Sequence, residues 1–162
     1  MANWENDKRW SDKFLPEIKM ILGLHLIGEP PIEEDCERNT DLIVLKMEPV
    51  RIACRIRKYK YFIDYPHDIT IRSSRPSGTK TELTKIIEGW GNYFFYGFSN
   101  EDETSLKAWR LCDLNSFRIW LMRELATKNG SMPGSERHNR DGSSNFRTFN
   151  SREINNFIRA ES

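Results

Sequence analysis

The chain has 162 residues, with 25 Lys and Arg against 24 Asp and Glu and a formal net charge of +1, so no global basic field announces a nucleic-acid partner and any such partner must be read by a local patch. Hydrophobic residues at 38% and aromatics at 12% exclude disorder of the whole chain and supply large rings for a single core. Cys36, Cys54 and Cys112 show neither a CxxC pair nor zinc-ligand spacing, and no apolar run approaches the ~20 residues that span a bilayer. The expectation is a small, soluble, cytoplasmic protein with reduced thiols and no membrane contact.

From Ser11 to about Leu26, Phe14, Ile18, Ile21 and Leu22 fall at helical spacing, with Ser11 as N-cap and Pro16 near the start. The acidic, proline-containing stretch through Glu33, Glu34, Asp35 and Glu37 reads as a loop. Residues 41–46 predict a short buried strand. A second strand follows in VRIACRIRKYKYF, with Ile52, Cys54 and Ile56 on one face and Arg51, Ala53, Arg55 and Arg57 on the other, so a hairpin is expected. DITIRSS is a third strand with Ile69 and Ile71 inward and Thr70 and Arg72 outward.

Thr79 or Thr81 caps a helix through Leu83, Ile86, Ile87 and Trp90 that ends at Gly89 or Gly91. NYFFYGF is a fourth strand and WRLCDL a fifth, and Asn115 or Ser116 caps a last helix with Phe117, Trp120, Leu121 and Leu125 inward. These elements define a globular α/β (α+β) domain over residues 1–127, with a mostly antiparallel or mixed sheet of four to five strands flanked by helices. Residues 128–150 have linker composition. Residues 151–162 predict a short helix whose Ile154, Phe157 and Ile158 form a docking face.

Three groups of residues carry candidate chemistry. Arg51, Arg55, Arg57, Lys58 and Lys60 lie in a stretch without an acid, interleaved with Tyr59, Tyr61 and Phe62. Cations on alternate strand residues stand about 7 Å apart, close to the spacing of successive phosphates, and the rings suit unpaired bases. Arg72, Arg75 and Lys80 stand with Ser73, Ser74, Ser77, Thr79 and Thr81 before a helix, where free amides, hydroxyls and cations form an anion site. Glu17, Asp41 and Glu82, with Lys85, would hold a divalent metal such as Mg2+ if they converged, the lysine stabilising charge on a phosphate.

The order helix, three-strand meander, helix, strand over residues 11–98 resembles the core of the restriction-endonuclease-like PD-(D/E)XK fold. That resemblance implies a metal-dependent nuclease or a degenerate relative of one, with Thr40-Asp41 matching the first motif and Glu17 the helix carboxylate. The acid-x-Lys positions hold Arg55-Ile56-Arg57 or Ala53-Cys54-Arg55, or, one strand later, Thr70-Ile71-Arg72 after Asp64. None supplies the acid, and Glu82 on the following helix is its candidate replacement. Two functions remain open at this stage. One is DNA or RNA binding through Arg51, Arg55, Arg57, Lys58, Arg72 and Arg75, with Asp41, Glu82 and Lys85 catalytic if the protein is a nuclease. The other is a non-catalytic interaction module, of the phage or mobile-element type that blocks a host factor, acting on a partner or a second copy through the tail.

Overall fold

The computed structural model describes residues 4–28, 43–44 and 50–162, which fall into two compact units, Met1–Pro49 and Val50–Ser162. The acidic loop, Cys36 and Asp41 lie outside the described residues. In the first unit, two helices replace the one expected: α1 spans Trp4–Asp12 and α2 spans Leu15–Leu26. Pro16 explains the break. In a continuous helix it could not donate to the Asp12 carbonyl and its ring would strike it, whereas in the first turn of a new helix its missing N–H is no loss. The turn is held by the Phe14 amide donating to the Ser11 carbonyl at 3.2 Å, with Trp10 edge-on to Phe14 at 5.3 Å. Strands β1 (Ile27–Gly28) and β2 (Ile43–Val44) pair antiparallel.

The second unit is α+β, with two sheets flanked by helices. Strands β3 (Ile52–Arg57), β5 (Tyr93–Ser99), β6 (Leu106–Asp113) and β9 (Ile158–Glu161) form a mixed sheet in the order β3-β5-β6-β9. Strands β4 (Asp68–Ser74), β8 (Asn145–Asn150) and β7 (Ser135–His138) form an antiparallel sheet in the order β4-β8-β7. Helices α3 (Tyr59–Asp64), α4 (Glu82–Ile87) and α5 (Leu114–Thr127) complete it.

Of residues 41–46, expected to form a hairpin with β3, only Ile43–Val44 lie among the described residues, and these pair with Ile27–Gly28. β3 instead runs parallel to β5, Arg55 opposite Tyr96 and Arg57 opposite Phe98. The chain does not continue the strand past Arg57, because the Tyr61 amide turns back to the Lys58 carbonyl at 2.9 Å and opens α3. β3 and β4 therefore lie in different sheets, and the three-strand meander behind the endonuclease-like likeness is absent from the described residues. Cys54, expected inward, is exposed.

Phe94, Tyr96 and Phe98 of β5 line one face of the mixed sheet, and with Ala108 and Cys112 of β6 they pack against Ile69 and Ile71 of β4, Leu83 and Ile86 of α4, and Phe117 and Leu121 of α5. Burial pushes the Cys112 thiol up to about 12, which leaves it inert. Thr70, expected outward, is buried and shares a 3.0 Å hydrogen bond with the Tyr96 hydroxyl. Trp90, expected on the apolar face of α4, is 61% exposed because Gly89, at φ +94°, turns the chain away first. Arg118 of α5 donates to the Ile86 carbonyl at 2.7 Å and satisfies the end of α4.

The expected linker is part of this fold. β8 pairs along β4 from Asp68–Asn150 to Ser74–Asn145, and Arg147 donates to the carbonyls of Met132 and Pro133, which fixes the approach to β7. Gly134, at φ +79°, is required there, since a Cβ would stand 2.7 Å from the Thr148 carbonyl oxygen. The expected terminal helix is a 3-10 turn at Asn155–Phe157 followed by β9. Phe149, Ile154 and Phe157 are 2%, 3% and 7% exposed, and Phe149 and Phe157 meet Phe117 edge-on at 5.2 and 6.1 Å. These side chains cover the domain's own core, so Ile154 and Phe157 offer no free docking face.

Asp113, and not Asn115 or Ser116, caps α5, accepting from their two amides at 2.8 and 3.0 Å. It also receives Arg159 of β9 at 2.8 Å. Burial raises its pKa, but the Ser116 and Asn115 amides and the Arg159 guanidinium outweigh that and hold it below the usual carboxylate value. A depressed folded pKa stabilises above the unfolded value and is lost as pH falls through the folded one. Asp113→Ala is expected to cost about 1–2 kcal/mol at neutral pH, a difference that shrinks below about pH 4; denaturant midpoints at both pH values check it. Among the described residues no helix is long and apolar enough to cross a membrane.

Candidate nucleic-acid interface

Residues 51–63 hold five cations and no carboxylate, and the fold gives those cations different roles. Arg51 stands exposed ahead of β3, its amide bonded to the Asn92 side chain at 2.8 Å. Arg55 and Arg57 share one face of β3 and are both half-buried, but their side chains are spent differently. Arg55 turns into the fold, donating to the Thr70 carbonyl at 2.9 Å and pairing with Glu82 at 2.8 Å, both side chains about four-fifths covered. The same Glu82 oxygen accepts the Arg72 amide at 3.1 Å. One carboxylate thus ties β3, β4 and α4 together.

This arrangement corrects two expectations. Arg55 is paired within the fold with Glu82 and the Thr70 carbonyl and does not stand free on the strand face. Glu82, the candidate replacement for the missing acid, serves as a structural counter-ion here. Lys85 is exposed in the last turn of α4, Glu17 lies on α2 of the other unit, and Asp41 is outside the described residues. Among the described residues no group of three or more His, Cys, Asp and Glu side chains is arranged to hold a metal ion.

The expected anion site before α4 is also consumed internally. Lys80 makes a two-pronged contact with Glu88 at 2.7 and 2.9 Å. The Ser77 and Thr79 hydroxyls share a hydrogen bond, and the Thr81 hydroxyl donates to the Ser73 carbonyl, leaving the N-cap position without a side-chain cap bond. Arg75 is exposed in the turn after β4.

What remains at the surface is concentrated around α3. The Arg57 guanidinium lies 4.0 Å from the centroid of the Tyr61 ring, and the Lys60 ammonium lies 4.9 Å from the same ring. Tyr59 stacks on Phe62, and Phe62 meets Phe98 of β5 edge-on at 5.7 Å, so the short helix is pinned to the core by its other side. Lys58 pairs with Glu103 at 3.2 Å across an exposed surface, a contact worth at most about 1 kcal/mol. The stack of Arg57 on Tyr61 was not foreseen from the sequence. Its signal is the spacing of four residues across a strand-to-helix turn, which returns the ring beneath the preceding cation.

Charge is also unevenly divided. Residues 50–162 hold 19 Lys and Arg against 13 Asp and Glu, a balance of +6, whereas residues 1–49 hold 6 against 11, a balance of −5. The near-neutral total conceals a basic unit. Compared with known proteins, the chain matches no family model, and neither a curated protein nor a solved structure is significantly similar to it. The functional reading rests on the side chains themselves.

Proposed function

We propose that the Val50–Ser162 unit binds nucleic acid through the cationic surface of β3 and α3, with Arg51, Arg57 and Lys60 as its centre and Lys58, Arg72 and Arg75 as flanking contacts. The observation that carries the reading is the acid-free run of residues 51–63, in which the fold turns Arg55 inward to Glu82 and pairs Lys58 with Glu103. A carboxylate within the run would repel phosphate, and residues 51–63 contain none. Lys58, itself exposed, can exchange the half-buried Glu103 carboxylate for a phosphate oxygen at modest cost.

Binding of this kind is expected to be salt-sensitive, with a dissociation constant on the order of 10⁻⁵ M at physiological ionic strength. Fluorescence anisotropy with labelled single- and double-stranded DNA and RNA at several salt concentrations tests it. Absence of salt-sensitive binding at micromolar protein rejects the reading. Cleavage of the probe on adding Mg2+ or Mn2+, lost in Asp41→Ala, would extend it to a metal-dependent nuclease.

A further inference from the structure

Within the nucleic-acid reading, on which this step rests, we infer that Arg57 and Tyr61 form a platform for an unpaired base, so that the preferred ligand is a single strand. Arg57 is the last residue of β3, its backbone held in the parallel ladder opposite Phe98. Its side chain lies over the Tyr61 ring at 4.0 Å, and among the described residues its guanidinium makes no hydrogen bond or ion pair. An arginine in the fold usually spends its N–H groups on carbonyls or carboxylates, as Arg55, Arg110 and Arg118 do here. Among the described residues, Arg57 spends only a face.

A guanidinium is planar, weakly hydrated and able to stack while its N–H edge stays open. Contact with Tyr61 lowers the number of orientations it samples, which reduces the entropy lost when a ligand engages it. The outer face then suits the π-surface of a nucleobase, and the edge suits a phosphate oxygen. Both are within reach of one side chain only when bases are splayed from their own stack, as in a single strand; a duplex presents phosphates and base edges but no open base face. Lys60, on the same ring, adds a point charge for the neighbouring phosphate. The identity of the base is left open by such stacking, because every base has a π-face.

The experiment compares the full chain binding three labelled probes at one salt concentration: a single-stranded oligothymidylate, an abasic oligodeoxynucleotide of equal length, and a duplex. The base-bearing single strand is expected to bind about tenfold more tightly than the abasic strand. Arg57→Lys keeps the charge and removes the plane. It is expected to bring the two affinities together while leaving the dependence of affinity on salt unchanged, with the denaturation midpoint confirming an intact fold. Equal wild-type affinity for the base-bearing and abasic strands, or a preference that survives Arg57→Lys, overturns the platform while leaving phosphate binding in place. Loss of salt-sensitive binding to all three probes overturns the underlying reading instead.

Discussion

A chain ending at Thr127 is expected to show no cooperative thermal transition in the Val50–Ser162 unit. Among the described residues β8 is the only strand paired with β4, and β9 pairs along the edge of β6. Deletion would also uncover the core where Phe149, Ile154 and Phe157 now lie. Replacing one such side chain by alanine costs about 2–5 kcal/mol, and the whole stability of a domain is about 5–15 kcal/mol. Losing three together with two strand pairings exceeds that margin. Circular dichroism melting of the truncated and full chains measures it, and a truncated chain with an unchanged sigmoidal transition would show that the C-terminal strands are dispensable.

Substitution of Glu82 is expected to destabilise the fold before it affects any chemistry. Exposed ion pairs are worth about 0–1 kcal/mol, whereas removing one partner of a buried pair costs about 3–5 kcal/mol. The Arg55 and Glu82 side chains, at 18% and 23% exposure, lie between these limits, so Glu82→Ala should cost about 2–3 kcal/mol. The loss has two parts: Arg55 is left charged beside the Thr70 carbonyl, and the Arg72 amide loses its acceptor. Glu82→Gln keeps an oxygen for that amide and should cost less. Denaturant unfolding of Arg55→Ala, Glu82→Ala and the double variant Arg55→Ala/Glu82→Ala measures the coupling. A Glu82→Ala protein of wild-type stability would contradict the structural role and return Glu82 to consideration as a functional acid.

Much of the second unit was legible along the chain, because β4, α4 and α5 carry apolar residues at local periodicity and β5 is a continuous aromatic-rich run. Ile69 and Ile71 alternate, Leu83 and Ile86 recur at helical spacing, and Phe117 and Leu121 fall on one helix face. The strands β7 and β8 were not legible, since SERH and NFRTFN contain a single aliphatic-free pattern that matches linker composition, and their ladder partner is far away in sequence. The C-terminal segment was ambiguous for another reason. Ile154 and Phe157 are three residues apart, a spacing that a helix and a 3-10 turn before a strand satisfy equally.

The basic surface was legible as an acid-free run, but the roles within it were not. Arg55 and Arg57 alternate on one strand face, and only the crossover that brings Thr70 and Glu82 to β3 makes Arg55 a structural cation. The parallel pairing of β3 with β5 was hidden likewise, because alternation along a strand defines its faces and not its neighbours.

The most direct test of the cationic interface is the slope of log affinity against log salt for the wild-type chain and for Arg51→Gln/Arg57→Gln/Lys60→Gln, measured with a single-stranded probe. Each phosphate contact contributes about 0.7 to that slope on a single strand, so loss of three should reduce its magnitude by about 2 and weaken binding at low salt by at least about tenfold. A variant that retains the wild-type slope and affinity would contradict the assignment of the interface to β3 and α3.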